Sequence, residues 1–280
     1  MKTKQNPMLR WCVLALFFPC ALGIFAMANH DISAMIWMQN PLFIALLAAV
    51  CFFVRKRNLR LTLSPMLLIL ASTLLLCATF FYPSADNVHR WIRIPFFSLQ
   101  VSVIVLPVLL VCVDRLLEQK QWAAALAGIL FPSAVLFFQP DAAQLSAFSF
   151  AVVALLFLST PPKALKYGLS LALGMLSLAA WLHLDSLAPV NYAEGVLMML
   201  LDQSVLLYAA GLLSLFFMPV PFLIASLKYN RKIGIAAAVY YWVMIACALT
   251  GHFPIPFMGY GLSPILGYFL FLAKFPHSCQ

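Results

Sequence analysis

Charge is what this chain has least of. Of its 280 residues 9% are Asp, Glu, Lys or Arg and only 8 are acidic, whereas a water-soluble domain carries about 25% charge. So few polar groups cannot cover a surface that faces water, which excludes a soluble globular fold. Segments of alternating polar and apolar residues are also missing, which argues against a membrane β-barrel. The spanning elements must then be helices, because a bilayer leaves open backbone groups unsatisfied. The seven cysteines (Cys12, Cys20, Cys51, Cys77, Cys112, Cys247 and Cys279) never pair at metal-ligand spacing. No zinc site and no disulfide framework is expected from them. Internal repeats, low-complexity stretches and any soluble segment are absent too, so residues 1–280 read as a single integral membrane domain.

What the chain does have is hydrophobic side chains, 65% of the total. A run of about 20 apolar residues crosses a bilayer. Hydropathy predicts ten spans: 9–27, 37–54, 62–82, 97–113, 122–138, 143–159, 165–183, 196–221, 233–251 and 258–273. The second is the weakest, because "MQNP" at 38–41 interrupts it. The expected fold class is therefore all-α and polytopic, with about ten transmembrane helices. Charge provides an independent test, since cytoplasmic loops are enriched in Lys and Arg. Fifteen of the 17 basic residues fall at the N-terminus, after even-numbered spans or at the C-terminus, so both termini are expected in the cytoplasm. The first span reads as a signal anchor rather than a cleaved signal peptide. The net charge of +9 then reports orientation in the membrane; no nucleic-acid partner is expected.

The opposite, outer face collects the remaining polar chemistry: Asp31, Asp86, Asp141, Asp185 and Glu194, with His30, His89, His183 and His252. Against them stand two cations, Arg90 and Arg93, in "DNVHRWIRIPFFSLQ" at 86–100. Arginine outside works against the orientation signal, which argues for a specific task. Its planar fork suits phosphate; Trp91 and the arginines equally suit an interfacial anchor. "FFQPDAAQ" at 137–144 places Asp141 to cap the next helix. "LAPVNYAEGVL" at 187–197 carries Asn191 and Glu194 at loose capping-box spacing, with Glu194 as general base the functional alternative. "FPIPFMGYGLSP" at 253–264 cannot form a regular helix, and non-helical backbone at that depth has to face protein or a water-filled cavity. Its "GYG" matches a potassium filter only weakly. Asp202, inside the eighth span, is the one carboxylate expected within the bilayer.

Four stretches, in order, resemble the signature set of the SEDS family, the RodA/FtsW-like cell-wall glycan polymerases. "RWIRIPFFSLQVS" is similar to the family's Arg-Trp-Ile…Gln-Pro-Ser-Glu motif and "FFQPD" to its Gln-Pro-Asp. "LAPVNYAEGVLMMLLDQ" resembles Leu-Pro-Glu-x-His-Thr-Asp-Phe, and "FPIPFMGYGLSP" resembles Pro-Leu-Pro-Phe-x-Ser-Tyr-Gly-Gly-Ser. The likeness covers about residues 86–273. It implies ten spans in the bacterial inner membrane with both termini inside. It also implies a peptidoglycan glycosyltransferase that joins undecaprenyl-pyrophosphate-linked glycan to lipid II at the outer face. Glu194 would stand at the catalytic aspartate's place. Arg90, Trp91, Gln139, Asp141, Tyr260 and Ser263 would face substrate, and Pro140, Pro256, Phe257 and Gly261 would shape the motifs. Arg93 has no family counterpart; Asp86 or a headgroup is its expected partner. No metal ligand set is implied, no cofactor is certain, and a divalent cation stays open. A single-span class B penicillin-binding protein is the implied protein partner.

The chain departs from the family pattern, and the departures make it a shortened, divergent member. Glutamate replaces the catalytic aspartate, and a displacement of ~1 Å can cost on the order of 10²-fold in rate. Val101 and Val103 replace the Pro and Glu of the span-4 motif, Leu262 replaces the second Gly of the last one, and the outer loop before Glu194 is about a dozen residues rather than tens. Two further readings therefore stand beside an enzyme: a catalytically weak or inactive relative serving as scaffold or regulator in cell shape or division, and a small transporter or polyprenyl-lipid-handling protein.

Overall fold

The computed structural model describes residues 7–57, 63–83, 88–94 and 97–275. Lys2, Lys4, Arg60, Asp86 and Cys279 lie outside them. The described chain is helical at each of the ten apolar segments. In order these are α1 (Pro7–Ala28), α2 and α3 (Ala34–Trp37, Gln39–Lys56), α4 (Pro65–Ala78), α5 (Val101–Glu118), α6 (Trp122–Phe138), α7 (Ala142–Leu158), α8 (Lys163–Trp181), α9 to α11 (Val196–Gln203, Val205–Phe217, Val220–Tyr229), α12 (Lys232–Ala248) and α13 (Leu262–Lys274). Among the described residues, four helical stretches, 10–28, 34–54, 163–181 and 205–229, are long and apolar enough by themselves to cross a membrane, and five more are shorter apolar helices.

Two sequence expectations are corrected here. The fourth span does not begin at 97. Residues 97–100 form strand β2 (Phe97–Gln100), paired antiparallel with β1 (Trp91–Ile94) in the register Trp91↔Gln100 to Ile94↔Phe97, and α5 starts only at Val101. "WIRI" and "FSLQ" are rich in the β-branched and aromatic residues that favour strands, and hydropathy alone merged β2 into the helix behind it. The eighth span is likewise not one helix ending at 221. It is broken at Ser204, whose backbone is extended, and again at Pro219, and it continues to Tyr229. Proline lacks the amide that an unbroken helix requires.

Helices α5 and α7 form the centre. Nearly every residue of α5 from Val101 to Leu117 is buried, and so is most of α7. Around them α7 packs on α12 and α8, and α5 on α4 and α13. The peripheral helices turn large apolar side chains outward. Leu171, Met175 and Leu178 of α8, and Leu182 just after it, all stand exposed. Their spacing of three to four puts them on one face, and an apolar stripe this long without polar relief is a surface for lipid acyl chains. Arg115, Arg231, Lys232 and Lys274 gather about the C-terminal end of α5, the basic end of the bundle, where their charges reach Cys112 or Asp114, while Arg90 stands with Gln100, Gln139 and Asp141 at the N-terminal end of α5.

Close packing at the centre depends on Gly267 of α13. A Cβ there would overlap the carbonyl oxygen of Val103 on α5, whereas a Cβ on Gly174 of α8 would meet nothing within 4 Å. Gly267→Val should therefore force α13 away from α5 and destabilise the protein by about 1–3 kcal/mol. Gly174→Ala should be neutral, or stabilising by up to about 1 kcal/mol through helix propensity. Thermal unfolding of the two purified variants in one detergent checks both.

Candidate functional site

The hairpin β1–β2 begins the site, because it places Arg90 just before its first strand and Gln100 at the end of its second. Arg90 is only 3% exposed. Its guanidinium lies 5.8 Å from the Trp91 ring and 5.5 Å from the Phe253 ring. Nε donates to the Gln139 carbonyl at 3.3 Å, and Nη2 donates to the Pro140 carbonyl and to Asp185 Oδ2. The other oxygen of Asp185 accepts the Leu187 amide at 3.1 Å. Arg90 thus fastens three segments together: the hairpin, the α6–α7 turn and the loop after α8. It meets a carboxylate of the same face, whereas the sequence pointed to phosphate. Arg93 lies exposed on β1, opposite Ser98.

The Gln139–Pro140–Asp141 turn is a buried knot. Gln139 Nε2 donates to the Leu76 carbonyl at 2.9 Å and to Thr79 Oγ1 at 2.7 Å, holding the end of α4. Asp141, with 0% exposure, caps α7 by accepting the Gln144 amide at 3.3 Å, as its position before that helix suggested. Its other oxygen accepts from Gln100 Nε2 at 3.0 Å and Ser102 Oγ at 2.8 Å. These donors satisfy a carboxylate that would otherwise be costly in an apolar interior. Gln144 is held in turn by the buried Tyr240 hydroxyl, 2.6 Å from its side-chain oxygen.

The last motif joins the same network. Ser263 Oγ accepts the Gln100 amide at 2.8 Å. Gly261, at the start of α13, has φ +151°, a conformation that side chains disfavour. Phe257 is fully buried, with its ring centroid 5.8 Å from Tyr241 and 5.5 Å from Tyr268. The Tyr260 amide donates to the Tyr192 carbonyl at 2.8 Å, the two tyrosine rings meet edge to face at 5.8 Å, and the Ile255 amide donates to the Ala193 carbonyl at 2.9 Å. The 190–194 turn therefore rests on the 253–261 loop, which Asn40 secures from α3 by donating to the Gly259 carbonyl at 2.8 Å. Pro256 lines a cavity of about 20 Å³ with Gln100, Gln144 and Phe253, room for about one water.

Glu194 closes the cluster, but not as a capping box. Helix α9 starts at Val196 after Gly195, with no side-chain cap. Residues 190–194 form a tight turn in which the Glu194 amide reaches the Val190 carbonyl at 2.9 Å. The carboxylate then accepts the Val190 amide at 2.7 Å instead of the Asn191 amide. Partial burial raises its pKa; the Val190 amide, its own amide and the Arg90 charge oppose that rise, and Asp185 adds to it. Glu194 thus feels both members of the Arg90–Asp185 pair.

Asp202, expected within the bilayer region, does not face the bundle interior. Its side chain is 72% exposed, and its carboxylate stands 3.8 Å from His30 Nε2, in the loop that follows α1. The break at Ser204 turns α9 across the end of α1 and carries Asp202 out of the interior. Among the described residues no three His, Cys, Asp or Glu side chains are arranged to hold a metal ion. Asp185, Ser102, Gln144, Tyr192 and Phe253 were not singled out from the sequence. Only Asp185, as one of five acids on its face, left a signal there.

A family model described as cell cycle protein (FtsW, RodA and SpoVE) matches residues 7–205. No curated protein sequence matches. Among solved structures, the rod-shape-determining protein RodA of Thermus thermophilus superimposes with a TM-score of 0.70 at 18% identity, over 97% of this chain and 95% of that one. An aspartate-to-alanine mutant of the same RodA gives a TM-score of 0.71, also at 18% identity, over 97% and 96%. The fold is that of RodA.

The buried ion pair carries a direct consequence. Removing one partner strands the other charge in an apolar setting, at a cost of about 3–5 kcal/mol. Asp185→Ala should lower stability by that order, while Arg93→Ala on the exposed strand should change it by less than about 0.5 kcal/mol. Denaturation of both variants beside the parent protein measures the difference.

Proposed function

The chain belongs to the FtsW/RodA/SpoVE cell cycle protein family, the SEDS membrane proteins of the cell wall, and from that premise we propose that it transfers glycan in peptidoglycan assembly. In this reading it uses lipid II, or a glycan linked to undecaprenyl pyrophosphate, at the outer face of the bacterial inner membrane. The observation that carries the proposal is the position of Glu194. Its carboxyl is half-buried, its pKa is raised, and it lies in the field of Arg90 and Asp185 on a turn bonded to the Tyr260 loop. A general base works best when its pKa approaches the ambient pH, and partial burial moves a carboxylate that way. Glu194 would take the proton from the acceptor sugar hydroxyl. Arg90 would act as a positioning residue, since its guanidinium is engaged by Asp185 and two carbonyls. Trp91 and Tyr260 would shape the surface on which the substrate sits, the buried Gln139, Asp141 and Ser263 would hold that surface from beneath rather than touch substrate, and a class B penicillin-binding protein would be the protein partner.

A second reading has its own support. The cavity at the motif convergence holds about 20 Å³, and Glu194 is already bonded to the backbone of its turn. Both suit a scaffold or regulator of cell shape or division that keeps the family architecture without transferring glycan.

Incubation of the purified protein with lipid II separates the two. As an enzyme it yields glycan polymer, and Glu194→Gln lowers the rate on the order of 10²- to 10⁴-fold. As a scaffold it yields none, and Glu194→Gln complements a deletion as well as the parent gene does. The pH profile gives a further check. Only the carboxylate accepts a proton, so activity should fall as pH drops through the midpoint of Glu194. Burial moves that midpoint above the value of an exposed glutamate. Loss of the Arg90 charge should move it higher still, and a rate profile measured in Arg90→Gln reads that shift.

A further inference from the structure

A groove of about 1260 Å³ runs along the outside of the bundle between α1 and the broken pair α10–α11. Its floor is made of small side chains, Ala15, Ala21, Ala210, Ser214 and Ala225, and its walls include Phe17, Phe18, Phe25 and Phe217. Most lining residues belong to two stretches, Trp11–Phe18 and Phe217–Tyr229, at the basic end of the bundle. The interruption at Met218–Pro219 divides the second helix there. Phe217 to Tyr229 covers about 18 Å of helix, close to the ~15 Å hydrocarbon depth of a single leaflet.

The mouth at that end is chemically distinct from the rest. Lys228 and Tyr229 line it, with the Lys228 ammonium 5.5 Å from the Tyr229 ring. Trp11 lines the facing wall at 63% exposure, and Arg10 beside it is exposed as well. One cation and two interfacial aromatics thus line the mouth of an apolar slot of about one leaflet's depth, with exposed Arg10 next to Trp11. Tryptophan and tyrosine settle at headgroup level, and basic pockets between transmembrane helices on the cytoplasmic side hold anionic headgroups. The far end of the groove, near Phe25 and Leu207, brings no cation into its lining.

We propose that this groove is a binding site for one anionic glycerophospholipid, phosphatidylglycerol or cardiolipin, of the leaflet at the basic end of the bundle. Its phosphate lies between Lys228 and Arg10, and its acyl chains lie over the alanine floor. The confinement of charge to one mouth favours a lipid over a partner helix, which would lie along the whole groove and need no anion at that point. The site is independent of Glu194 and of any glycan chemistry.

The test uses the full chain, delipidated in detergent and offered either phosphatidylglycerol or phosphatidylcholine at equal mole fraction. Native mass spectrometry counts the retained lipid, and thermal unfolding reads its effect. Phosphatidylglycerol should be retained at one per protein and raise the melting temperature more than phosphatidylcholine does. With each cation near the surface contributing what a basic residue does at an anionic leaflet, Arg10→Ala with Lys228→Ala should weaken phosphatidylglycerol about 30-fold. Lys163→Ala, at the same end of the bundle but on α8, should leave the preference intact. Ile224→Trp, which fills the slot, should reduce retention of both lipids. Equal retention of the two lipids by the parent protein, or a preference that survives the double substitution, overturns the proposal. So does photo-crosslinking from position 224 in native membranes that captures a single-span protein and no lipid.

Discussion

A guanidinium buried among apolar helices is the constraint that organises the motif-bearing end of this molecule. Arg90 cannot lose its charge within any ordinary pH range, and the surrounding apolar rings offer it little solvation. Its charge has to be met by an anion and its donors by oxygens, from whatever segments can reach. The chain supplies Asp185 from the loop after α8 and two carbonyls from the α6–α7 turn. Segments separated by tens of residues are thereby obliged to meet at one point. The hairpin presents Arg90, the proline turn points its carbonyls inward, and the short loop 182–195 is pinned by one carboxylate. The pair specifies where these segments meet more surely than it adds net stability, because a buried ion pair costs desolvation on both sides.

Asp141 shows a similar logic without a counter-ion. A fully buried carboxylate is held by three hydrogen bonds, one as helix cap and two from Gln100 and Ser102 at the head of α5. Gln100 then passes the connection to Ser263 through its backbone amide. The hairpin, the α6–α7 turn and the start of α13 become one hydrogen-bonded unit, with Gln100 as its hinge. Asp141, Ser102 and Ser263 in it are buried, so the loss of one bond leaves a buried neighbour unsatisfied and the effects are not local.

The sequence made the membrane class, the ten helical segments and the order of the motifs legible, because each depends on runs of residues. Composition alone excluded water as the solvent. Asp141 as the cap of α7 was readable because capping is a relation across three positions. The hairpin was not: four residues of β2 share the hydrophobicity of the helix behind them, and strand pairing depends on a partner that hydropathy does not see. The breaks at Ser204 and Pro219 were hidden for a related reason, since a window of twenty residues averages over one proline. The pairing of Arg90 with Asp185 was not legible, since the sequence pointed to phosphate for that arginine. Separation along the chain carries no information about which acid folds over which base, and neither Ser102 nor Gln144 carries a mark of what it will bond.

The same clamp bears on how the site would work. Glu194 sits on a loop whose other end is fixed by Arg90 through Asp185, and its own turn is fixed to the 253–261 loop by the Tyr260–Tyr192 and Ile255–Ala193 bonds. A loop tied at both ends moves as a unit or not at all, so under the proposed function a sugar entering beside Glu194 would have to displace the loop rather than a single side chain. In this chain the tie spans only about a dozen residues, and the backbone length available for an opening is correspondingly small. The electrostatics run the same way. Burial raises the Glu194 pKa most, the amides of Val190 and Glu194 oppose it, and the Arg90 and Asp185 charges, of opposite effect, come after them, so burial is the dominant influence on that carboxyl. Any motion that opens the loop to water relaxes the burial and returns Glu194 toward the behaviour of an ordinary glutamate. Basicity at Glu194 and closure of the site are therefore one property, set by how tightly a single arginine holds the loop.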